Sequence, residues 1–134
     1  MTEAVLATSY GGPEVLEVRD VEVPAAGPGE VTIDVRAAGV NPWDHKVYSG
    51  TMGADEARLP LPLGLEVAGV VTAVGDDATG PAGHLEVGDE VIGYPVTGGY
   101  ASSITARTAP AVLQALPVPV PAPVAPAPAP NAVS

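Results

Sequence analysis

Residues 28–50 read PGEVTIDVRAAGVNPWDHKVYSG, and the first half of this stretch alternates without a break. Val31, Ile33, Val35 and Ala37 fall on one side of an extended chain and Thr32, Asp34 and Arg36 on the other, which predicts a half-buried strand over residues 30–40. The pattern then changes. Asn41 followed by Pro42 is an N-cap with proline at the first helical position, so residues 42–48 are expected to form one short helical turn.

The same reading extends outward in both directions. β-rich pieces at residues 3–8, 15–23, 65–74, 89–94 and 100–106 are separated by the turn-forming clusters GGP, AAGPGE, GDDATGPAG and TGG. Residues 55–58 offer a second short helical turn. About six short strands with this punctuation predict a mainly β fold, an antiparallel barrel or sandwich, with one or two helical turns. Strand and helix do not alternate, and no G-x-G-x-x-G run occurs, so no parallel doubly wound sheet is expected.

A length of 134 residues allows one compact domain. Sixteen acidic residues against five basic ones give a formal charge of −11, dispersed as single residues, which argues for solubility and against nucleic-acid or anionic-membrane partners. Cysteine is absent, which excludes disulfides and thiolate metal sites and fits a reducing compartment. No apolar run reaches the roughly 18–20 residues of a membrane span. The first residues lack a basic region and a sufficient apolar stretch for a signal peptide, so a cytoplasmic location is expected.

Half of the 16 prolines lie beyond residue 109. The foldable unit is therefore expected to comprise residues 1–107, and residues 108–134 a Pro/Ala/Val-rich unstructured tail, with residues 117–130 extended as polyproline II. Within that tail only APAVLQAL, residues 109–116, offers a brief helix. The low-complexity composition has two readings, a docking segment for another protein and the product of a GC-rich gene read out of frame; the second is preferred.

Five segments carry a resemblance: YGGPEVLEV (residues 10–18), residues 28–50, LPLGLEVAGVVTAVG (residues 61–75), VGDEVIGY (residues 87–94) and GGYA (residues 98–101). In this order they resemble the N-terminal GroES-like domain of the zinc-independent quinone oxidoreductase branch of the medium-chain dehydrogenase/reductases. The resemblance implies an NADPH-dependent enzyme that transfers hydride to a quinone or enone, with this barrel as one wall of the cleft and a Rossmann domain as the other. No Rossmann domain is expected within these residues, so the isolated chain is expected to be inactive unless a separate nucleotide-binding domain or protein completes it. The alternative is a non-catalytic GroES-like binding module that acts through a partner protein.

By the same resemblance, no catalytic zinc is expected, because Asn41 and Leu65 stand where zinc-dependent relatives carry Cys and His. His45 and His84 are expected to be surface residues. The resemblance implies Asn41 and Lys46 as catalytic and cofactor-binding residues, with Trp43, Asp44, Tyr48, Glu66, Tyr94 and Tyr100 lining the substrate cleft. Each has a plainer reading from chemistry alone. Asn41 caps the turn, Asp44 closes a capping box, Lys46 is a solvated lysine, and Trp43 fills core or interface space, the preferred role for it. Glu66, in an otherwise apolar strand, needs a hydrogen-bonded partner, and a structural role is favoured for it. Tyr48 departs from the Arg common at this point in the family.

Overall fold

The computed structural model describes residues 1–80 and 83–108, and the backbone of residues 112–115. The strands are β1 (Thr2–Ala7), β2 (Leu16–Val21), β3 (Glu30–Ala38), β4 (Leu61–Pro62), β5 (Val67–Val74), β6 (Thr79–Gly80), β7 (Gly83–His84), β8 (Glu90–Tyr94), β9 (Ser103–Arg107) and β10 (Val112–Ala115), with one helix, α1 (Pro42–Tyr48). They form a three-stranded sheet in the order β2-β1-β4, a five-stranded sheet in the order β10-β8-β5-β3-β9, and the hairpin β6-β7. Every pairing is antiparallel. An isolated bridge between Ala4 and Ala101 ties the first sheet to the segment before β9. The result is the expected mainly β architecture, with ladders that do not close into a complete ring.

The alternation that predicts β3 holds for its first half. Val31 and Ile33 are fully buried, at 0% exposure, whereas Ala37 is exposed and Ala38 packs against the core. A register shift against β5 between Val35 and Ala37 explains the change. An extra residue in one strand moves every later side chain to the opposite face.

Two apolar clusters hold the fold. The larger gathers Val31, Ile33, Val67, Val71, Val91 and Ile104 from four strands of the five-stranded sheet, with Ala78 and Leu85 from either side of the hairpin. The smaller joins Ala7 of β1 with Val15, Tyr48, Leu61 and Leu63, and so seats α1 on the three-stranded sheet. Ile33 lies at the centre of the larger cluster. Ile33→Ala is expected to lower the unfolding free energy by about 3 kcal/mol, the usual cost of emptying so enclosed a site; urea denaturation monitored by circular dichroism measures it.

Both short turns form as expected. A 3-10 turn over Glu56–Arg58 is capped by the Asp55 carboxylate, which accepts from the Ala57 N–H at 3.0 Å. The brief helix expected over residues 109–116 is corrected: Val112–Ala115 is a strand, paired with β8 from Val112 opposite Tyr94 to Ala115 opposite Val91. A helix of so few residues carries the full cost of nucleation with little propagation to offset it, whereas the free edge of β8 supplies backbone partners at once. The polyproline II expectation for residues 117–130 lies outside the described residues.

Candidate active-site cleft

Helix α1 begins where β3 ends. Asn41 is its N-cap in extended conformation, Pro42 its first residue, and Asn41 and Asp44 form a capping box in which the Asp44 carboxylate accepts the Asn41 N–H at 3.0 Å. The cap satisfies backbone donors that a helix end leaves open. It also fixes where Asn41 sits. The Asn41 side-chain Nδ2 donates to Glu66 Oε1 at 3.3 Å, and because an ionised carboxylate only accepts, the amide orientation is set by chemistry. Glu66 thereby obtains the partner that its apolar surroundings require. Its side chain lies directly over Gly39, where any Cβ would overlap it, and the Gly39 N–H donates to the Glu66 carbonyl at 3.2 Å.

Asp44 is buried, at 6% exposure, and serves more than the cap. Its Oδ2 also accepts from the Tyr100 hydroxyl at 2.7 Å, and its Oδ1 accepts from the Gly64 N–H at 3.3 Å. Three segments far apart in sequence therefore meet on one carboxylate. The backbone repeats the junction: the Tyr100 N–H donates to Leu63 and the Gly99 N–H to Gly64, while the Tyr100 carbonyl accepts from Val5. Burial, and then the hydrogen bond to Asp44 with its negative charge, push the Tyr100 phenol up to about 12.

Two cavities border this frame. One, of about 580 Å³, is lined by Asn41, Pro42, Trp43, Leu65, Glu66 and Tyr94. The other, of about 170 Å³, shares Trp43 and Leu65 with it and continues past Asp44, Leu63, Pro62 and Thr97. Trp43 is 44% exposed and Tyr94 50% exposed. Of the role preferred for Trp43, core or interface space, the core part is thus corrected: α1 is too short to turn two faces inward, and its buried side chains are Asp44 and Tyr48.

The expected cleft residues separate accordingly. Asn41, Trp43, Glu66 and Tyr94 surround the larger cavity, and Asp44 borders the smaller one with its carboxylate already engaged. Tyr48 does not line the cleft; it is 9% exposed within the smaller core cluster, its ring meeting His45 edge to face. The position that the family gives to Arg is here a packing residue. Tyr100 lines neither of these two cavities, and Lys46 is exposed on α1 and likewise lines neither. His84 Nδ1 stands 3.4 Å from the Thr79 hydroxyl. Among the described residues no group of three or more His, Cys, Asp or Glu is placed to hold a metal, and no helix is long and apolar enough to cross a membrane.

The alcohol dehydrogenase GroES-like domain model matches residues 27–114 of this sequence. The chain belongs to that family. Human quinone oxidoreductase is 41% identical over 103 residues, which are 75% of this chain and 30% of its own. The structure of a quinone oxidoreductase from Pseudomonas syringae superposes with a TM-score of 0.76 at 38% identity, over 89% of this chain and 35% of that one. That of the Escherichia coli quinone oxidoreductase complexed with NADPH superposes with a TM-score of 0.69 at 27% identity, over 83% and 32%. This GroES-like domain is therefore of the quinone oxidoreductase-like medium-chain dehydrogenase/reductase type, and it spans about 30% of the length of the curated relatives it matches.

Sequence reasoning missed four members of the GroES-like frame. Gly64 supplies an N–H to Asp44 and has φ +104°, which a glycine between two leucines does not announce. Gly39 provides room for Glu66. Thr97 and Pro62 border the smaller cavity without a motif to mark them.

Proposed function

We propose that this domain forms the acceptor side of the cleft in an NADPH-dependent, zinc-independent reductase of quinones or enones. The observation that carries the reading is the Asn41 amide, held by α1 and Glu66 at one end of a cavity walled by Trp43 and Tyr94. One Nδ2 proton is committed to Glu66, which leaves the second to donate to a carbonyl oxygen in the cavity. Such a donor stabilises the oxygen as it gains charge and needs no rearrangement during the reaction. Trp43 and Tyr94 offer flat apolar faces against which a planar conjugated ring packs. When bound, NADPH supplies the hydride. Of these residues Asn41 faces the cofactor and acceptor together, and Lys46 offers a solvated cation for a phosphate. Neither an amide nor the Leu65 side chain is a zinc ligand, which supports metal-free chemistry.

Nucleotide binding needs a wall that the described residues do not form, since they contain no strand–helix–strand unit with a glycine-rich turn. The 134-residue chain alone is expected to leave NADPH unoxidised in the presence of a naphthoquinone, while the quinone quenches the fluorescence of Trp43, its single tryptophan. Asn41→Ala is expected to weaken that quenching about fivefold, the value of one ordinary hydrogen bond. NADPH oxidation by the chain alone overturns the first statement, and unchanged quinone affinity in Asn41→Ala overturns the second.

A second reading, a non-catalytic binding module, draws on the exposure of Val40 (85%) and Ile92 (43%) together with that of Trp43 and Tyr94. Where such residues form one contiguous apolar surface, they mark contact with another protein. A supplied nucleotide-binding domain that restores NADPH oxidation decides for the reductase; a complex without turnover decides for the module.

A further inference from the structure

The cleft does not end at its polar head. The larger cavity and the smaller one share Trp43 and Leu65, and the smaller one shares Pro62 and Thr97 with a third cavity of about 400 Å³. Pro62 and Thr97 are both exposed and line both spaces, so the two cavities are neighbours with these two side chains between them. The third cavity lies between β1 and β9, and its walls include Val5, Val21, Val23, Pro24 and Ile104. Its volume falls within the roughly 300–1,000 Å³ of small-molecule sites.

Two polar side chains along this route are engaged within the protein, while Arg58 on the wall of the smaller cavity supplies a cation beside the path. The Asp44 carboxylate is engaged by Tyr100 and Gly64. In the third cavity the Thr105 hydroxyl bonds to the Pro24 carbonyl and to Thr32, and Glu22 is the single charged residue on its wall. The route therefore begins at an amide that reads an oxygen and ends in a chamber that offers mainly hydrocarbon. A ligand that matches both ends has a conjugated carbonyl ring and a flexible apolar chain.

We propose that the acceptor of this cleft is a quinone or enone bearing a long alkyl or isoprenoid substituent, with the ring between Trp43 and Tyr94 and the chain running over Pro62 and Thr97 into the cavity between β1 and β9. This inference rests on the reductase reading above and adds a specificity that the reading does not contain. Each methylene that leaves water contributes to affinity in proportion to the area buried, so affinity rises with chain length until the distal cavity is filled.

The test uses two probes with one ring, a dimethoxy-methyl-benzoquinone with and without a decyl chain, and follows Trp43 quenching in the 134-residue chain. The decyl compound is expected to bind at least about 10-fold more tightly. Thr97→Phe, which places a bulky ring between the two cavities, and Val23→Asp, which places a charge in the distal cavity, are each expected to reduce that ratio below about twofold, and Val23→Asp, remote from the ring site, to leave the short compound unaffected. Equal affinity for the two compounds in the unsubstituted chain, or a ratio that survives both substitutions, overturns the proposal and leaves the reductase reading standing. Failure of both compounds to quench Trp43 overturns the reductase reading, and this proposal with it.

Discussion

Asp44→Ala is expected to lower the unfolding free energy by about 3–4 kcal/mol, because it removes one acceptor group from three donors at once. The Gly64 N–H and the Tyr100 hydroxyl both point at that carboxylate, and the helix cap loses its Asn41 N–H partner. Buried donors left without acceptors cost about 1–3 kcal/mol each, and the loss of a cap about 1. Relaxation and water entry offset part of the sum. Urea denaturation at neutral pH measures the change, and a loss below about 1 kcal/mol contradicts the account. Asp44→Asn supplies a spectroscopic check. With the charge gone but burial retained, the Tyr100 phenol falls from about 12 toward its ordinary 10.0 without necessarily reaching it. Absorbance titration of phenolate formation, with Tyr100→Phe as the reference, measures this shift.

The same phenol fixes a direction for alkaline unfolding. Its value in the folded protein lies above the ordinary one, so folding favours the neutral form. That contribution is complete below about pH 10 and disappears as the pH rises toward about 12. Tyr100→Phe is expected to flatten the decline in stability across this window.

Gly64→Ala is expected to cost more than about 3 kcal/mol. Its φ of +104° is a conformation that side chains rarely adopt, and a Cβ there would overlap the backbone of Gly99 and the Tyr100 nitrogen. Strain alone is worth about 1–3 kcal/mol. The overlap adds to it, because backbone held by two hydrogen bonds to residues 63 and 64 cannot swing aside. Gly53 separates the two effects. It has φ +112° with nothing within 4 Å of a Cβ, so Gly53→Ala is expected to cost no more than the strain. Equal thermal shifts in the two variants would show that overlap plays no part. Because Gly64 lines the smaller cavity, its substitution is also expected to weaken quinone binding.

Much of this was legible in the residues. The alternation from Val31 predicts β3, and Asn41-Pro42 predicts α1 to the residue, because a cap and a proline act within one turn and need no distant partner. The resemblance placed Asn41, Trp43, Glu66 and Tyr94 together, and they surround one cavity. Trp43 and Tyr48 were less legible. A seven-residue helix has two faces of nearly equal apolar character here, and only the docking of α1 on Leu61 and Leu63 decides which faces inward. The strand at Val112–Ala115 was illegible for a related reason: its conformation is set by the open edge of β8 and not by its own propensity.

The sequence by itself determined the β character, the capped turn and the family, since each is written in neighbouring residues as a period, a cap or a motif. Tertiary structure alone decided that Asp44 would be met by Gly64 and by Tyr100, 20 and 56 residues away, and that three cavities would lie side by side, sharing first Trp43 and Leu65 and then Pro62 and Thr97. A repeat of side chains reports which face of an element is apolar. Which distant faces meet depends on how the two sheets and their loops pack, and the chemistry of this cleft is assembled at those meetings.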